Sequence, residues 1–315
     1  MHESAEHGFA ARSGAPVPRR SILTAGFACL GGTHFLGTAE ADDQDRERPA
    51  DDRKLIREVL DAHNAVRTKA KLPPLRSSDI LQKAAILHAE DMAKRNVMSH
   101  EGGDGSTAAQ RVEKAGYFYR KTGENVARGQ TTSSGVMRAW LDSPPHKANI
   151  LGEFEEIGIG VARSSEQQPY WCVEFGTPWP TIDVTRSRSE FLAAVNAERV
   201  AKGKKPLRAN AKLERIATDE ATVMARSAQL GGGENRGEAL VRAIRDAGYV
   251  FRSIGQLAAS GQPTARDLTS YLLKTDDNRE LLLGDYVDAG VGVAVGPKRM
   301  PYWFIILARP LRETR

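Results

Sequence analysis

The sequence predicts an α+β protein built from two tandem copies of one domain. The first observation is an internal repeat, because the 315-residue chain matches itself at a constant offset of 132 positions. Pro74-Leu75-Arg76 recurs as Pro206-Leu207-Arg208, and Pro169-Tyr170-Trp171 recurs as Pro301-Tyr302-Trp303. A constant offset across proline and tryptophan positions indicates a duplicated domain. The second observation is that helical periodicity comes before strand-like alternation within a copy, which is typical of an α+β fold.

Four helices are predicted in the first copy, because apolar residues recur there at helical spacing. These apolar stripes cover residues 55–66, 81–92, 108–115 and 136–141. Ser78 or Asp79 is expected to cap the second helix. Gly116 is expected to end the third helix, and Pro144-Pro145 to end the fourth.

Three strands are predicted in the second half of the same copy. Residues 157–161 alternate apolar side chains with glycine, and residues 171–175 have the composition of a half-buried strand. A further strand is expected near residues 124–126. Helices combined with a small antiparallel sheet complete the α+β prediction.

Residues 1–41 resemble an export signal of the twin-arginine type. Arg19-Arg20 precedes a mildly apolar stretch, and Ala39-Glu40-Ala41 has the small-x-small pattern that signal peptidase prefers. We expect cleavage after Ala41, with lipidation at Cys29 as the alternative. The twin-arginine signal predicts a periplasmic or secreted protein.

The repeat also predicts the domain boundaries. Residues 42–53 are acidic and polar and are expected to form a linker. The first copy is predicted to cover residues 54–178, a short connector residues 179–188, and the second copy residues 189–315.

Composition excludes several classes of function. The net charge of +5 comes from 45 basic and 40 acidic residues that are scattered along the chain, so nucleic-acid binding is not expected. No apolar stretch of about 20 residues follows the signal, so the mature chain is expected to have no transmembrane span. Cleavage after Ala41 leaves Cys172 as the remaining cysteine, which excludes an intrachain disulfide.

Histidines distinguish the two copies. The mature chain has four, all in the first copy, and their counterparts in the second copy are Val195, Glu220, Gly232 and Asn278. His63 and His88 lie in apolar helical stripes and are interpreted as core residues. His100 and His146 follow predicted helix ends, where loops commonly carry binding sites.

Several short motifs, in their order and spacing, resemble the bacterial branch of the CAP superfamily, which includes cysteine-rich secretory proteins, antigen 5 and plant pathogenesis-related proteins. The motifs are Met98-Ser99-His100, Ala115-Gly116-Tyr117, Gly123-Glu124-Asn125, the segment 143–151 (SPPHKANIL) and the segment 157–161 (IGIGV). The resemblance covers the whole first copy. It implies an α-β-α three-layer sandwich in each copy, with a cleft that holds two histidines and two acidic residues.

The resemblance assigns His100, Glu124 and His146 to three of these four cleft positions. The fourth acid follows a tryptophan by three positions in animal and plant members; here that position is Ser143, and the adjacent Asp142 is a candidate substitute. Independently, two imidazoles and one carboxylate are a suitable donor set for zinc or another divalent cation.

The second copy lacks these donors and is predicted to be degenerate. Glu124 becomes Gln256, His146 becomes Asn278, and Lys274 stands at the position of Asp142. Amides can form hydrogen bonds but cannot replace the imidazoles and carboxylate that zinc favours.

Three classes of function stay open. The favoured class is a non-catalytic exported binding module with a cation-dependent cleft, whose ligand the resemblance suggests is a lipid, a sterol or a cell-envelope component. The second copy would then be a partner surface or a lid. The alternatives are a peptide or ester hydrolase in which Glu124 is the general base, and a structural or adhesive protein whose polar residues form only a buried network.

Overall fold

The computed structural model describes residues 50–230 and 236–311, so the predicted signal at residues 1–41, including Cys29, lies outside the described residues. The elements of the first copy follow in chain order: α1 (Ala50–Lys69), β1 (Arg76–Ser77), α2 (Asp79–Arg95), α3 (Ala108–Lys114), β2 (Tyr119–Arg128), α4 (Ser133–Leu141), α5 (Pro144–Ile150), β3 (Glu156–Arg163) and β4 (Pro169–Pro178).

The second copy repeats this order. Its elements are α6 (Val184–Ala201), β5 (Arg208–Ala209), α7 (Ala211–Ser227), α8 (Arg236–Asp246), β6 (Phe251–Ser260), α9 (Ala265–Leu272), α10 (Asp276–Leu283), β7 (Asp288–Val295) and β8 (Pro301–Pro310). The predicted duplication is confirmed at the level of secondary structure.

Each copy contains one four-stranded sheet. The strand order is β1-β3-β4-β2 in the first copy and β5-β7-β8-β6 in the second. The three long strands pair in antiparallel fashion, as predicted, but the short strands β1 and β5 pair in parallel with β3 and β7. The sheet is therefore mixed. The two-residue strands were missed because they are too short to show an alternating pattern.

Alternation along the strands divides each sheet into two buried faces. In β4, Trp171, Val173 and Phe175 join the core formed with α1, α4 and α5. Tyr170 and Cys172 face the opposite layer and pack against α2. Since side chains alternate between faces in a strand, helices cover both sides, and the predicted three-layer α-β-α sandwich is confirmed.

Two glycines in β3 let helix α2 approach the sheet closely. A Cβ atom added at Gly158 would lie 2.1 Å from the Leu81 carbonyl carbon, and one at Gly160 would lie 2.4 Å from the Ala85 carbonyl oxygen. Gly290 and Gly292 have the same role against α7 in the second copy. The alternation of glycine with apolar residues thus results from helix packing on one face of the strand.

One buried arginine stabilises the same turn in each copy. Arg67 is 1% exposed and donates hydrogen bonds to the carbonyl groups of Pro73, Ile150, Gly152 and Phe154. Arg199 makes the equivalent bonds to Lys205, Leu282, Gly284 and Tyr286. This arginine ties the C-terminal end of the first helix to the loop that precedes the third strand of its domain.

Some sequence predictions of element ends need correction. Ser78 is the N-cap residue of α2, but its side chain makes no capping hydrogen bond. Helix α4 ends at Leu141, and Pro144-Pro145 begin a further helix, α5, that was not predicted. Proline is favoured in the first turn of a helix because the amide there has no intrahelical partner.

The helices also extend past the predicted domain boundaries. Helix α1 begins at Ala50, inside the predicted linker 42–53, and α6 begins at Val184, inside the predicted connector 179–188. Within the described residues, no helix is both long and apolar enough to cross a membrane.

Candidate functional site

His100 and His146 converge at one end of the first sandwich. His100 lies in the loop after α2, whereas His146 lies in the first turn of α5, not in a loop as predicted. Their ring centroids are 6.4 Å apart and the ring planes are inclined by 42°. The His100 side chain is 61% exposed, so this pair is accessible to solvent. We name the space between the two rings the histidine cleft.

Glu124 lies beneath His100, on strand β2. Its side chain is only 3% exposed, and its Oε1 atom is 2.7 Å from His100 Nδ1. The Oε2 atom accepts a hydrogen bond of 2.5 Å from Arg111 Nη2 and one of 3.4 Å from the Cys172 thiol. Both carboxylate oxygens therefore already have partners inside the protein.

The pKa shifts of these groups follow from burial and charge. Burial raises the pKa of the Glu124 carboxyl, but the His100 hydrogen bond and the Arg111 charge outweigh it, so the net shift is downward. The bond to Glu124 raises the pKa of His100. Burial, followed by the proximity of His100, lowers the pKa of His146 and favours its neutral form.

An ionised Glu124 determines the tautomer of neutral His100. Because a carboxylate can only accept hydrogen bonds, Nδ1 of His100 carries the hydrogen, and Nε2 keeps its lone pair. A histidine oriented by a carboxylate in this way is the usual arrangement behind metal-ligating imidazoles.

The sequence motifs around the site position the helix that carries His146. Asn125 is fully buried; its Nδ2 atom donates to the His146 carbonyl at 3.0 Å. Asn149 Nδ2 contacts Asn125 Oδ1 at 2.9 Å and the Glu124 carbonyl at 3.0 Å. At Gly123 an added Cβ would lie 2.9 Å from the Phe154 ring, so only glycine fits. These motif residues hold α5 against β2.

Two residues of the site were not identified from the sequence. Arg111, on α3, donates a hydrogen bond to Glu124 Oε2. His88, interpreted as a core histidine, is indeed 1% exposed, with Nε2 hydrogen-bonded to the Ser99 carbonyl at 2.8 Å. However, it also lies 3.7 Å from Glu124 Oε2. Burial, the dominant effect, lowers its pKa, so it is a neutral neighbour of the carboxylate.

A second acidic group lies behind Glu124. Glu174 is opposite Glu124 in the β2–β4 pairing, and both Glu174 and Cys172 are fully buried. Ligand atoms of Glu124, Cys172 and Glu174 lie within 4.8 Å of one another, which is close enough to hold a metal ion. Burial, then the Glu124 charge, raises the pKa of both the Glu174 carboxyl and the Cys172 thiol well above their usual ranges. Both groups are thus neutral, whereas metal ligands must be deprotonated.

Asp142, the candidate fourth acid, is exposed and is the C-cap residue of α4. Within the described residues it has no side-chain hydrogen bond or ion pair to His100, Glu124 or His146. Its place in the site stays a prediction.

The second copy has an apolar interior at the corresponding positions. Gln256 stands opposite Ile306 in the β6–β8 pairing, where the first copy has Glu124 opposite Glu174. Ile306 and Phe304, the counterparts of Glu174 and Cys172, are buried in an apolar cluster. Gln256 is exposed. Gly232, the counterpart of His100, lies outside the described residues.

The α-β-α sandwich and the histidine cleft together define the class of protein. The profile of the cysteine-rich secretory protein family, CAP, matches residues 60–175 and again residues 192–307. The chain therefore belongs to the CAP family and contains two tandem CAP domains, as the sequence motifs predicted.

Individual relatives are more distant. Uncharacterized protein YkwD of Bacillus subtilis (strain 168) is 31% identical over 139 residues, which cover 44% of this chain and 53% of YkwD. The matched region thus spans about half the length of that relative.

Two solved structures match part of the chain. An outer surface protein from Borrelia burgdorferi is 25% identical over 40% of this chain and 94% of its own, with a TM-score of 0.38. An extracellular protein containing an SCP domain from Bacillus anthracis str. Ames is 23% identical over 46% of this chain and 45% of its own, also with a TM-score of 0.38.

Proposed function

We propose that this chain is an exported binding module whose first domain holds a divalent cation, with zinc the best fit, in the histidine cleft. The observation that carries this proposal is the convergence of two imidazoles, 6.4 Å apart between ring centroids, from distant parts of the chain. The more exposed ring, His100, is held by a buried carboxylate.

The donor set fits zinc when His100 is neutral. His146 favours the neutral form, whereas the bond to Glu124 raises the pKa of His100, so zinc binding must displace a proton from that ring. In the neutral ring, Glu124 fixes the tautomer that leaves Nε2 able to donate its lone pair. Zinc is usually four-coordinate, so two imidazole ligands would leave two positions for water or for another molecule. A bound cation would supply a positive charge to which an oxygen atom of the binding partner is attracted.

Glu124 is better suited to orient His100 than to bind the cation directly. Its two oxygens are already occupied by His100, Arg111 and Cys172, and its side chain is 3% exposed. We therefore place His100 and His146 next to the cation and Glu124 behind His100. The direct ligation by Glu124 predicted from the sequence stays an untested alternative.

Export and the ligand class rest on the sequence together with the relatives. The twin-arginine signal predicted at residues 1–41 agrees with relatives described as extracellular or outer-surface proteins. A periplasmic or secreted location would expose the cleft to a lipid, a sterol or another component of the cell envelope.

The other two classes of function have less support. A general base must reach the proton that it removes, whereas Glu124 is enclosed and already paired. A purely structural network is disfavoured because the second domain has the same fold although Gln256 replaces Glu124 and the apolar residues Ile306 and Phe304 replace Glu174 and Cys172.

A zinc titration of the full chain by calorimetry tests the proposal. We expect one equivalent to bind, and the substitution His146→Asn, which introduces the residue of the second domain, to weaken binding by at least about tenfold. The matched control is Asn278→His, which should bind one equivalent like the unsubstituted chain. Unchanged affinity in His146→Asn would refute the proposed site.

A further inference from the structure

A cavity in the first domain is lined by Arg111 and His88 but not by His100, Glu124 or His146. It has a volume of about 480 Å³, and its lining comes from α2, α3 and the loop 102–106. We name it the α2–α3 groove. Its main lining residues are Lys83, Ala84, Leu87, His88, Arg111 and Lys114. Its volume is within the range of about 300–1,000 Å³ that is typical of small-molecule sites.

One wall of the groove is apolar. Leu87, on α2, is 54% exposed although its neighbours Ala84 and Ala85 are buried. Ala115 completes this wall from the end of α3. An exposed leucine inside a concave site offers contact area to the hydrocarbon part of a ligand.

The charged groups of the groove are unevenly paired. Lys83 and Lys114 are exposed and form no hydrogen bond or ion pair with the described residues. Of the two acids in the lining, Asp91 pairs with Arg95 at 2.7 Å, whereas Asp104 accepts from the Ser106 amide at 3.0 Å and keeps its charge near Lys114. Two lysines against one acid without a cationic hydrogen-bond partner leave an excess of positive charge in the groove.

Polar atoms at the inner end of the groove also lack partners. The Arg111 side chain is 10% exposed, and two of its nitrogens are bonded to Ser106 and Glu124, but Nε has no hydrogen-bond partner. Nδ1 of His88 is likewise without a partner. Arg111 Nε is a donor and Nδ1 of neutral His88 is an acceptor, but both atoms are buried, so the exposed lysines are the groups available to a ligand.

The backbone of the loop does not offer a phosphate cradle. The amide groups of Gly102, Gly103, Gly105 and Ser106 all donate within the loop or to Asp91. Phosphate sites in glycine-rich loops depend on free backbone amides. The available donors are instead the side chains of Lys83 and Lys114, and the apolar wall at Leu87 favours an anion with an apolar body over inorganic phosphate.

We propose that the α2–α3 groove binds a small carboxylate that has an apolar body. The carboxylate would lie between the ammonium groups of Lys83 and Lys114, and the apolar body would pack against Leu87 and the adjacent alanines. This site is separate from the histidine cleft, and it does not depend on cation binding there.

The second domain provides an internal comparison, because its corresponding surface has different chemistry. Asp219 replaces Leu87, Glu220 replaces His88 and Asp246 replaces Lys114, while Ala243 replaces Arg111. These changes place acids at the positions of Leu87 and Lys114, although Arg215 keeps a positive charge at the position of Lys83. The corresponding surface of the second domain should therefore bind an anion less well.

Binding of 4-phenylbutyrate to the full chain, measured by calorimetry and by NMR chemical-shift changes, tests this proposal. We expect saturable binding that weakens by roughly fivefold to tenfold in the double variant Lys83→Glu/Lys114→Glu. Leu87→Asp, which introduces the residue of the second domain, should weaken binding similarly. The matched control Arg215→Glu, at the position equivalent to Lys83, should bind like the unsubstituted chain.

Three results would overturn the proposal. One is the absence of saturable binding, or binding that the three substitutions in the groove leave unchanged. Another is equal affinity for the neutral alcohol 4-phenylbutanol, because the carboxylate would then not be recognised. The third is equally tight binding of inorganic phosphate, because the apolar body would then be irrelevant. All substituted residues are exposed, so circular dichroism should confirm unchanged folding.

Discussion

The two domains of this chain have the same framework but different interiors on one face of the sheet. Each has a four-stranded sheet in the same order, with two glycines packed against a helix. In the first domain Glu124 faces Glu174 across the sheet, whereas in the second Gln256 faces Ile306. The same backbone fold therefore forms with or without the buried acidic residues of the first domain.

This difference separates the residues that fold the domain from those that give it a site. Arg67 and Arg199 make four equivalent bonds to backbone carbonyls, one set in each domain. Arg111 and Glu124, in contrast, have no charged counterparts in the second domain, where Ala243 and Gln256 take their places. Buried charge in the first domain costs desolvation that the second domain avoids.

The largest expected effect concerns the shared framework. We predict that Arg67→Met and Arg199→Met each destabilise their own domain by about 4 kcal/mol, because several buried carbonyls lose their partners. Urea unfolding followed by residue-resolved NMR would assign each loss to a domain. The exposed residue Arg76 provides the control variant Arg76→Met. A loss below about 1 kcal/mol in either domain would contradict equal roles for the two arginines.

A somewhat smaller effect is expected at Arg111. Arg111→Ala should destabilise the first domain by about 3 kcal/mol, because the buried Glu124 carboxylate loses its charged partner. Adding Glu124→Gln to Arg111→Ala gives the combination that the second domain has at Ala243 and Gln256. This second substitution should recover part of the lost stability. Chemical unfolding of the single and double variants measures the coupling. If the double variant is no more stable than Arg111→Ala, the unpaired charge of Glu124 is not the cause of the destabilisation.

The smallest of the three effects is the pH dependence contributed by His63. Burial lowers its pKa from 6.5 to about 4. The unfolded chain binds a proton at this residue below pH 6.5 while the folded protein does not, so stability falls as the pH decreases from 6.5 to 4. The expected contribution is roughly 2–3 kcal/mol.

A variant tests the assignment to His63. His63→Val introduces the residue found at Val195 and should remove this part of the pH dependence, while its packing cost stays constant with pH. Unfolding free energies measured at several pH values give the slope directly. An unchanged slope in the variant, or an NMR titration of the His63 ring with a pKa near 6.5, would show that the prediction is wrong.

Sequence reasoning predicted the repeat, the sandwich and the meeting of the two histidines, because each depends on short local patterns or on the family motifs. It missed Arg111 and His88 as site residues. Both lie on helices with ordinary periodicity, and only packing against the sheet brings them to Glu124. The buried group behind Glu124 could have been predicted, because side chains alternate along β4 and Cys172 and Glu174 therefore lie on the same face of that strand.

The pair Pro144-Pro145 was predicted to end a helix, but in the structure it begins one. A proline pair predicts the end of a helix as readily as the beginning of the next, because proline disfavours helical conformation in the preceding residue and is tolerated in the first turn. Here α4 ends at Leu141 and α5 begins at Pro144. This second helix is what brings His146 next to His100.

Anomalous X-ray diffraction at the zinc absorption edge, on crystals of the full chain soaked with zinc, tests the central claim most directly. We expect one peak per chain, about 2.0–2.1 Å from one nitrogen of His100 and one of His146. A peak at the buried Glu124–Cys172–Glu174 group, a second peak in the second domain, or no peak between the two imidazoles would contradict it.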